Sequence, residues 1–323
     1  LGIIWSLGFG YWDLIGDTEN QPGNSTMLGY IIYLILKGFS LLINLFPESF
    51  ALWGGRQLGH ISYWFDWEHR AVAFENLQVA FGEKKSKKEM KAIAKKCFEN
   101  MGMMAIEFFR IPGMDMEAFK RKVTIEGLDE ALKILDQKKG ALLLIGHFGN
   151  WELMGFMSKV IHSPIMVIAK PIKKNQWVDR LIVGIREDAG LEVIPPGQAG
   201  RKVIKALSQN RVVGILIDQR AKRSEGIMVD FFGKKAPTTP GLAVLALKSG
   251  APVIPVFMIR NGFQKHRLVI QKPLELVHTG NKRQDVEANT ELFNKTLESM
   301  IRDYPDQWFW VHRRWERRKE RKG

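Results

Sequence analysis

The chain has 323 residues, a formal charge of +14, a pI near 9.7, 46% hydrophobic residues and a single cysteine, Cys97. That length allows a full hydrophobic core, as one large α/β domain or two small ones, and one cysteine excludes an intrachain disulfide framework and a multi-cysteine zinc site. The basic excess needs an acidic partner: nucleic acid, an anionic membrane surface, an acidic carrier protein or phosphorylated substrates.

Residues 1–26 (LGIIWSLGFGYWDLIGDTENQPGNST) lack a basic start and carry acids, so they read as an upstream extension and a poor secretory signal. From Leu28 to Phe46 the chain is almost entirely apolar and Pro47 ends the run, close to the length that crosses a hydrocarbon core. Lys37 falls near its middle, where a lysine costs roughly 2.5–3.5 kcal/mol on insertion scales unless its amine snorkels. Residues 27–48 are therefore predicted as a membrane-anchor helix that either spans marginally or lies in the interface. A buried core helix is the bland alternative.

Residues 49–315 read as a single α/β domain whose first part, to about residue 120, is helical by its apolar spacing. Cys97 lies in this region with no redox motif around it, which suits a buried structural thiol. From about residue 124 short branched apolar runs take over: VTIEG, ALLLIG, PIMVIAK, LEVI, VVGILI, PVIPVFMI and RLVIQ. Helical stretches lie between most of them, over 175–189, 201–209 and 241–249, and a last long helix is expected over 282–303. This alternation predicts a mainly parallel central sheet flanked by helices. Residues 316–323 form a basic tail, whose mix of cations with tryptophan just before it suits an anionic interface.

In open α/β sheets ligands collect beyond the carboxyl ends of the strands. That rule picks out His147 after ALLLIG, Lys170 after IMVIA and Asp218 after VVGILI. The window GALLLIGHFGNWEL adds Glu152, five residues after the histidine. On one regular helix such a spacing points the two side chains about 140° apart. They meet if His147 is on the strand-exit loop and Glu152 is in the first turn of the next helix, with Asn150 as its N-cap. A carboxylate in a first turn is also explained by the helix dipole alone. There is no G-x-S-x-G elbow, H-E-x-x-H pair, Walker loop or G-x-G-x-x-G fingerprint. A histidine with a nearby acid suits general-base activation of a hydroxyl or thiol, as in acyl transfer from a thioester.

GHFGNWEL resembles the His-x-x-x-x-Asp/Glu signature of membrane-associated acyltransferases. In its HFGNWE form it is similar to the bacterial lipid A biosynthesis acyltransferases, the late-acting enzymes that acylate hydroxyacyl chains of lipid A precursors. The resemblance runs over about residues 28–315. It takes in the apolar anchor, ENLQVAF around Asn76, VTIEGLDE, the Asp218-Gln219 pair, FFGKKAPTTPG and QWFWVHRRW. It implies that His147 is the general base and Glu152 its partner. Arg186 corresponds to the family's arginine, with Arg180 as a close competitor, and Asp218 to its aspartate. An arginine there suits a phosphate or an oxyanion, with Asp218 ordering the arginine or the loop. Asn150 is a cap, an oxyanion donor or a scaffold. Thr238 and Thr239 are an N-cap for the helix near Pro240, or ligand contacts. His312, Arg313 and Arg314 are structural or substrate-facing.

The implied partners are acyl carrier protein as the co-substrate, a lipid A precursor and the cytoplasmic face of the bacterial inner membrane, with no cofactor, no metal and no nucleic acid. Within the superfamily the alternative acceptor is another glycolipid, such as a phosphatidylinositol mannoside, or a lysophospholipid. From a different class, the rival is a non-catalytic binder of anionic lipid or nucleic acid.

Overall fold

A computed structural model describes residues 27–316. The expected upstream extension, 1–26, and the tail beyond Glu316 lie outside the described residues.

The described residues open with four helices: α1 (Met27–Leu45), α2 (Glu48–Phe65), α3 (Trp67–Phe81) and α4 (Lys87–Arg110). Their boundaries follow from local chemistry. Pro47 separates α1 from α2; the Asp66 side chain accepts the His69 N–H at the start of α3; Ser86 and Glu89 form a reciprocal capping box on α4. The backbones of α2 and α4 cross closely because glycines meet there: a Cβ on Gly59 or on Gly102 would run into backbone atoms of the facing helix. Cys97 is buried on α4, its Sγ 3.2 Å from the Trp308 carbonyl, and burial pushes the thiol up to about 12, so it is inert at neutral pH.

After the short α5 (Met116–Lys122), strands and helices alternate as the apolar runs predict. They are β1 (Val123–Glu126), α6 (Leu128–Leu135), β2 (Ala141–Ile145), α7 (Met157–Val160), β3 (Ile165–Ile168), α8 (Gln176–Ala189), β4 (Leu191–Ile194), α9 (Ala199–Ser208) and β5 (Val212–Leu216). Then come β6 (Ile227–Phe231), β7 (Lys234–Thr238), α10 (Gly241–Ser249), β8 (Val253–Arg260), β9 (His266–Ile270) and α11 (Lys282–Asp303). The large sheet has the order β1-β9-β8-β2-β5-β3-β4. Its one antiparallel contact is β8 with β9; the other neighbours are parallel. The architecture is thus α/β with a mostly parallel central sheet and an apolar N-terminal helix.

Two features were not expected. β6 and β7 make a separate antiparallel hairpin, turned by Phe232 and Gly233 with φ of 57° and 74°. The segment after α11, Trp308–Trp315, folds back into the body. Asn76 of α3 fixes it by donating to the carbonyls of Trp310 at 2.6 Å and His312 at 2.7 Å. Two of the sequence motifs, ENLQVAF and QWFWVHRRW, are therefore halves of one clamp.

Candidate active site

β2 and β5 are adjacent, with Ile145 opposite Leu216. Two residues past each strand end stand His147 and Asp218, so the register alone brings them to the same sheet edge. Nδ1 of His147 is 2.8 Å from Oδ1 of Asp218. The other carboxylate oxygen accepts the His147 backbone N–H at 2.7 Å and the Trp308 indole N–H at 2.7 Å. The Asp218 side chain is 1% exposed and that of His147 is 14% exposed. Burial by itself would raise the Asp218 pKa. The positive charge available to His147 and the hydrogen bonds from His147 and Trp308 outweigh it and hold the carboxyl below the usual carboxylate range.

An ionised acid on Nδ1 is acceptor-only, so Nδ1 carries the proton and Nε2 keeps its lone pair. The side-chain nitrogen of Gln219 lies 3.3 Å from that Nε2, which fits an amide N–H donating to it. Trp151 meets the imidazole edge-to-face at 4.9 Å between ring centroids, and Phe309 lies at 6.0 Å. The C-terminal segment closes the loop: Phe309 N–H donates to the His147 carbonyl at 3.0 Å and Gly149 N–H to the Gln307 carbonyl at 2.8 Å. Gly149 has φ of 56°, and a Cβ there would collide with the Met258 carbonyl oxygen.

Several expectations are corrected here. The carboxylate on the imidazole is Asp218, and Glu152 faces elsewhere. Residues 151–156 form a 3₁₀ turn instead of an α-helix, and this turn sends the Glu152 side chain toward α8. There Arg186 grips it with two bonds, Nε to Oε2 at 3.0 Å and Nη2 to Oε1 at 2.7 Å. Glu152 Oε1 also accepts the Trp151 indole N–H at 3.2 Å, so the acid reaches the histidine through the tryptophan wall. Of the two arginines, Arg186 is the one on Glu152, while Arg180 lies over the Trp177 ring at 5.0 Å. Asn150 does not cap the turn. It is fully buried and its Nδ2 donates to Glu107 at 2.7 Å. Neither threonine is the N-cap expected for α10, which is Pro240 with no side-chain cap bond: Thr238 accepts from the Arg314 guanidinium at 2.6 Å, and Thr239 Oγ1, one residue ahead of the cap, lies 3.4 Å from the Gly241 N–H. Lys170 stands exposed past the end of β3, outside the dyad.

Residues far apart in sequence complete the floor. Glu107 of α4 is fully buried and accepts from Asn150, from His266 Nε2 at 2.9 Å, and from Arg260 at two positions. Against the penalty of burial, the charges of Arg260 and His266 and their hydrogen bonds hold Glu107 well below the carboxylate range. Gln307 brackets the Arg260 backbone, accepting its N–H at 2.8 Å and donating to its carbonyl at 3.0 Å. His312 is neutral: burial first, then the neighbouring charge of His147, push it down to about 3, and its Nε2 accepts the Arg220 backbone N–H at 3.1 Å. Arg314 is fully buried over the Phe231 ring at 4.8 Å, and burial lowers it to about 10, still protonated at neutral pH. Arg313 pairs with Glu75.

The sequence pattern agrees with a comparison to known proteins. A family model described as bacterial lipid A biosynthesis acyltransferase matches residues 21–317. The chain belongs to that family. It is 27% identical to the lipid A biosynthesis lauroyltransferase of Escherichia coli K12 over 307 residues, 93% of this chain and 97% of the relative. It is 28% identical to the phosphatidylinositol mannoside acyltransferase of Mycolicibacterium smegmatis over 213 residues, 65% of this chain and 67% of the relative. Against the Mycobacterium tuberculosis protein of that name, identity is 32% over 163 residues, about half of each chain at 49% and 51%. The chain is an acyltransferase. Its histidine–acid pair comes from two separate strand ends, and the six-residue signature holds the histidine and Glu152, which lies behind the Trp151 wall.

Glu107, Arg260, His266, Gln219 and Trp308 were not singled out as site residues. Gln219 sits beside the aspartate in the quoted Asp-Gln pair, and Trp308 lies in the quoted aromatic motif; both carried a signal. Glu107, Arg260 and His266 carried none, since they stand more than 150 residues apart in sequence between the helical part and β8–β9.

Proposed function

We propose that this acyltransferase moves a fatty acyl chain from an acyl carrier protein thioester to a hydroxyl on a hydroxyacyl chain of a lipid A precursor, at the cytoplasmic face of a bacterial inner membrane. The observation that carries the reading is the His147–Asp218 pair, with Nδ1 held by a buried ionised acid and the lone pair left on Nε2, beside the Gln219 amide.

In this reading Nε2 takes the hydroxyl proton as that oxygen bonds to the thioester carbonyl carbon. The imidazolium formed lies 2.8 Å from the Asp218 carboxylate, which offsets its charge. When the tetrahedral intermediate collapses, the carbon–sulfur bond breaks and the proton passes from Nε2 to the departing sulfur. Ester and free carrier thiol are the products, and the balance needs no resident cofactor. Glu152 and Arg186 act as positioning residues, bracing Trp151 against the imidazole. The basic excess of the chain supports an acidic carrier and a phosphorylated acceptor.

The similarity to two phosphatidylinositol mannoside acyltransferases supports a mannosylated phosphoinositide as the second candidate acceptor. The test uses detergent-solubilised wild type and His147→Ala with acyl carrier protein thioesters and either a tetra-acylated lipid A precursor or a phosphatidylinositol mannoside. Wild type should add one acyl chain to the first acceptor by mass, and folded His147→Ala should lose about 10²–10⁴-fold in rate. A near-wild-type rate in His147→Ala overturns the base assignment. Product from the mannoside alone overturns the acceptor assignment.

A further inference from the structure

Helices α1 and α2 turn outward an apolar face that the chemistry above does not use. On α1, Leu28, Ile31, Leu34, Ile35, Leu41 and Leu42 are exposed. On α2, Ala51, Leu52, Gly55, Gly59 and Ser62 are buried, while Trp53, Trp64 and Phe65 on the outer side are 53%, 60% and 77% exposed. The Phe46, Phe50 and Trp53 rings follow one another at 5.4 and 5.9 Å, so the two faces join across the Pro47 turn. A helix that buries one stripe in a body surrounded by water shows a polar opposite side; α2 shows aromatic rings there instead.

What covers this face is indicated by its composition and its rim. Tryptophan and phenylalanine at this density suit the boundary between headgroups and acyl chains. Exposed cations accompany it: Lys37 on α1, Arg56 on α2, and Lys173, Lys174 and Arg180 around the start of α8, where Asn175 and Trp177 meet the first turn of α1. They complement an anionic lipid surface, as does the formal charge of +14.

The attachment of α1 fixes its direction. Asn175 Nδ2 donates to the Gly29 carbonyl at 3.4 Å, and the Tyr30 ring packs on Trp177 at 5.1 Å. At the other end Ser40 Oγ and Asn44 Nδ2 donate to the Phe109 carbonyl at 2.6 and 3.3 Å, and Arg110 reaches the Phe46 carbonyl at 3.1 Å. These 19 residues, about 28 Å of helix, are laid along α8 and α4 from end to end. If α1 crossed a bilayer, Asp179, Arg180, Glu187 and Asp188 of α8 would go with it to a depth where ionised groups are strongly disfavoured.

We propose that α1 and α2 form one docking face that lies in the plane of an anionic bilayer interface, with α1 seated in that interface and not crossing it. The proposal deepens the membrane reading of the proposed function and rests on it. It gives α8 two duties: its first turn holds α1, and its last holds Arg186 against Glu152. The interface is then one helix away from the Trp151 wall of the site.

The test expresses the full chain in bacterial inner membrane and uses a membrane-impermeant maleimide, with Cys97 buried and silent. Ser25→Cys, ahead of α1 in the sequence, is compared with Glu83→Cys, beyond α3. In-plane seating predicts that both react in inverted membrane vesicles and neither in intact spheroplasts. Ser25→Cys reacting only in spheroplasts overturns the proposal by showing a span. In parallel, purified protein is floated with phosphatidylcholine vesicles containing phosphatidylglycerol. The Trp53→Ser/Trp64→Ser variant, with unchanged circular dichroism, should partition at least tenfold less than wild type. Equal partitioning removes α2 from the face. Wild type that neither floats nor fractionates with membranes refutes the underlying membrane reading as well, a result distinct from the other two.

Discussion

Asp218→Asn is the substitution that separates the two acids of the site. Asp218 takes three donors: the His147 Nδ1–H, the His147 backbone N–H and the Trp308 indole N–H. An asparagine has one acceptor oxygen and one amino group. The oxygen can serve the two N–H donors now on Oδ2. The amino group then faces Nδ1, which must become the acceptor, and the imidazole proton moves to Nε2. The lone pair that would take the hydroxyl proton is gone. Losing a positioned base of this kind is worth about 10²–10⁴-fold, or about 3–6 kcal/mol of barrier at roughly 1.4 kcal/mol per tenfold. The fold should survive, because shape and two hydrogen bonds persist; losing the charge on a hydrogen-bond acceptor costs about 1.5–3 kcal/mol of a typical 5–15. The assay is initial rate of acyl transfer by product mass, with circular dichroism and urea unfolding as controls. The folded-state pKa of Asp218 is depressed relative to the roughly 3.9 of an unfolded aspartate. Its stabilising contribution is therefore present above about pH 4 and is lost as pH falls through the folded value, so the stability gap to Asp218→Asn should close on acidification. An Asp218→Asn enzyme that is folded and within threefold or so of the wild-type rate would refute the claim that Asp218 sets the tautomer of His147.

Other consequences follow from the same contacts. Removing Arg186 alone or Glu152 alone strands a buried charge and should destabilise by about 3–5 kcal/mol, while the double Ala variant should cost less than the sum; additive urea-unfolding free energies would show that the pair is uncoupled. Gly149→Ala has to place a side chain at positive φ against the Met258 carbonyl, so it should lose at least about 1–2 kcal/mol in thermal or urea unfolding and much of the activity, and a variant as stable as wild type would contradict the tight turn. His312 is held neutral down to about 3, well under the roughly 6.5 of an unfolded histidine. Its depressed pKa gives stability above about pH 6.5 that is lost as pH falls toward 3, because the unfolded chain gains a proton that the folded one refuses. His312→Gln should flatten that part of the stability–pH curve; an unchanged slope would show that His312 protonates freely in the native state.

The fold was largely legible because the signals are local. ALLLI, IMVI, LEVI and VVGIL are strands by their branched apolar runs. The helices expected over 175–189 and 282–303 form as α8 and α11, each opened by an asparagine side-chain cap, Asn175 and Asn281. The β6–β7 hairpin has no such signal because its strands, IMVDF and KKAPT, are partly polar and lack a continuous branched apolar run. In the site, the rule about strand ends found His147 and Asp218 separately, but the partner of each was set by sheet order. Nothing in one sequence states that β2 and β5 are neighbours. The spacing in HFGNWE suggested a histidine–glutamate contact because an α-helical continuation was assumed; the observed 3₁₀ turn and the pull of Arg186 send Glu152 the other way. The Glu107 cluster was beyond reach for the same reason, since α4, β8 and β9 meet only in space.

The C-terminal segment shows why so short a signature comes with such distant companions. His147 sits on a loop turned by a glycine at positive φ, and such a loop does not hold a base to a fraction of an ångström unaided. Trp308 donates to Asp218, Phe309 to the His147 carbonyl, and Gln307 ties Gly149 to Arg260. Asn76 in turn pins this segment to α3, and Arg314 anchors it to the Pro237 carbonyl and Thr238 near the end of β7. Each contact also satisfies a polar group that would otherwise be buried without a partner, so the energy that folds the end of the chain is the energy that positions the base. Asn76→Ala touches neither the dyad nor a substrate, yet it leaves the Trp310 and His312 carbonyls without their donor. It should loosen the segment by about 1–3 kcal/mol. If the segment is what positions His147, kcat should fall more than binding of the acyl donor weakens, and the loss should track the local opening of Trp308–Trp315 in hydrogen exchange. A kcat unchanged while exchange there accelerates would show that the dyad holds its geometry without the clamp.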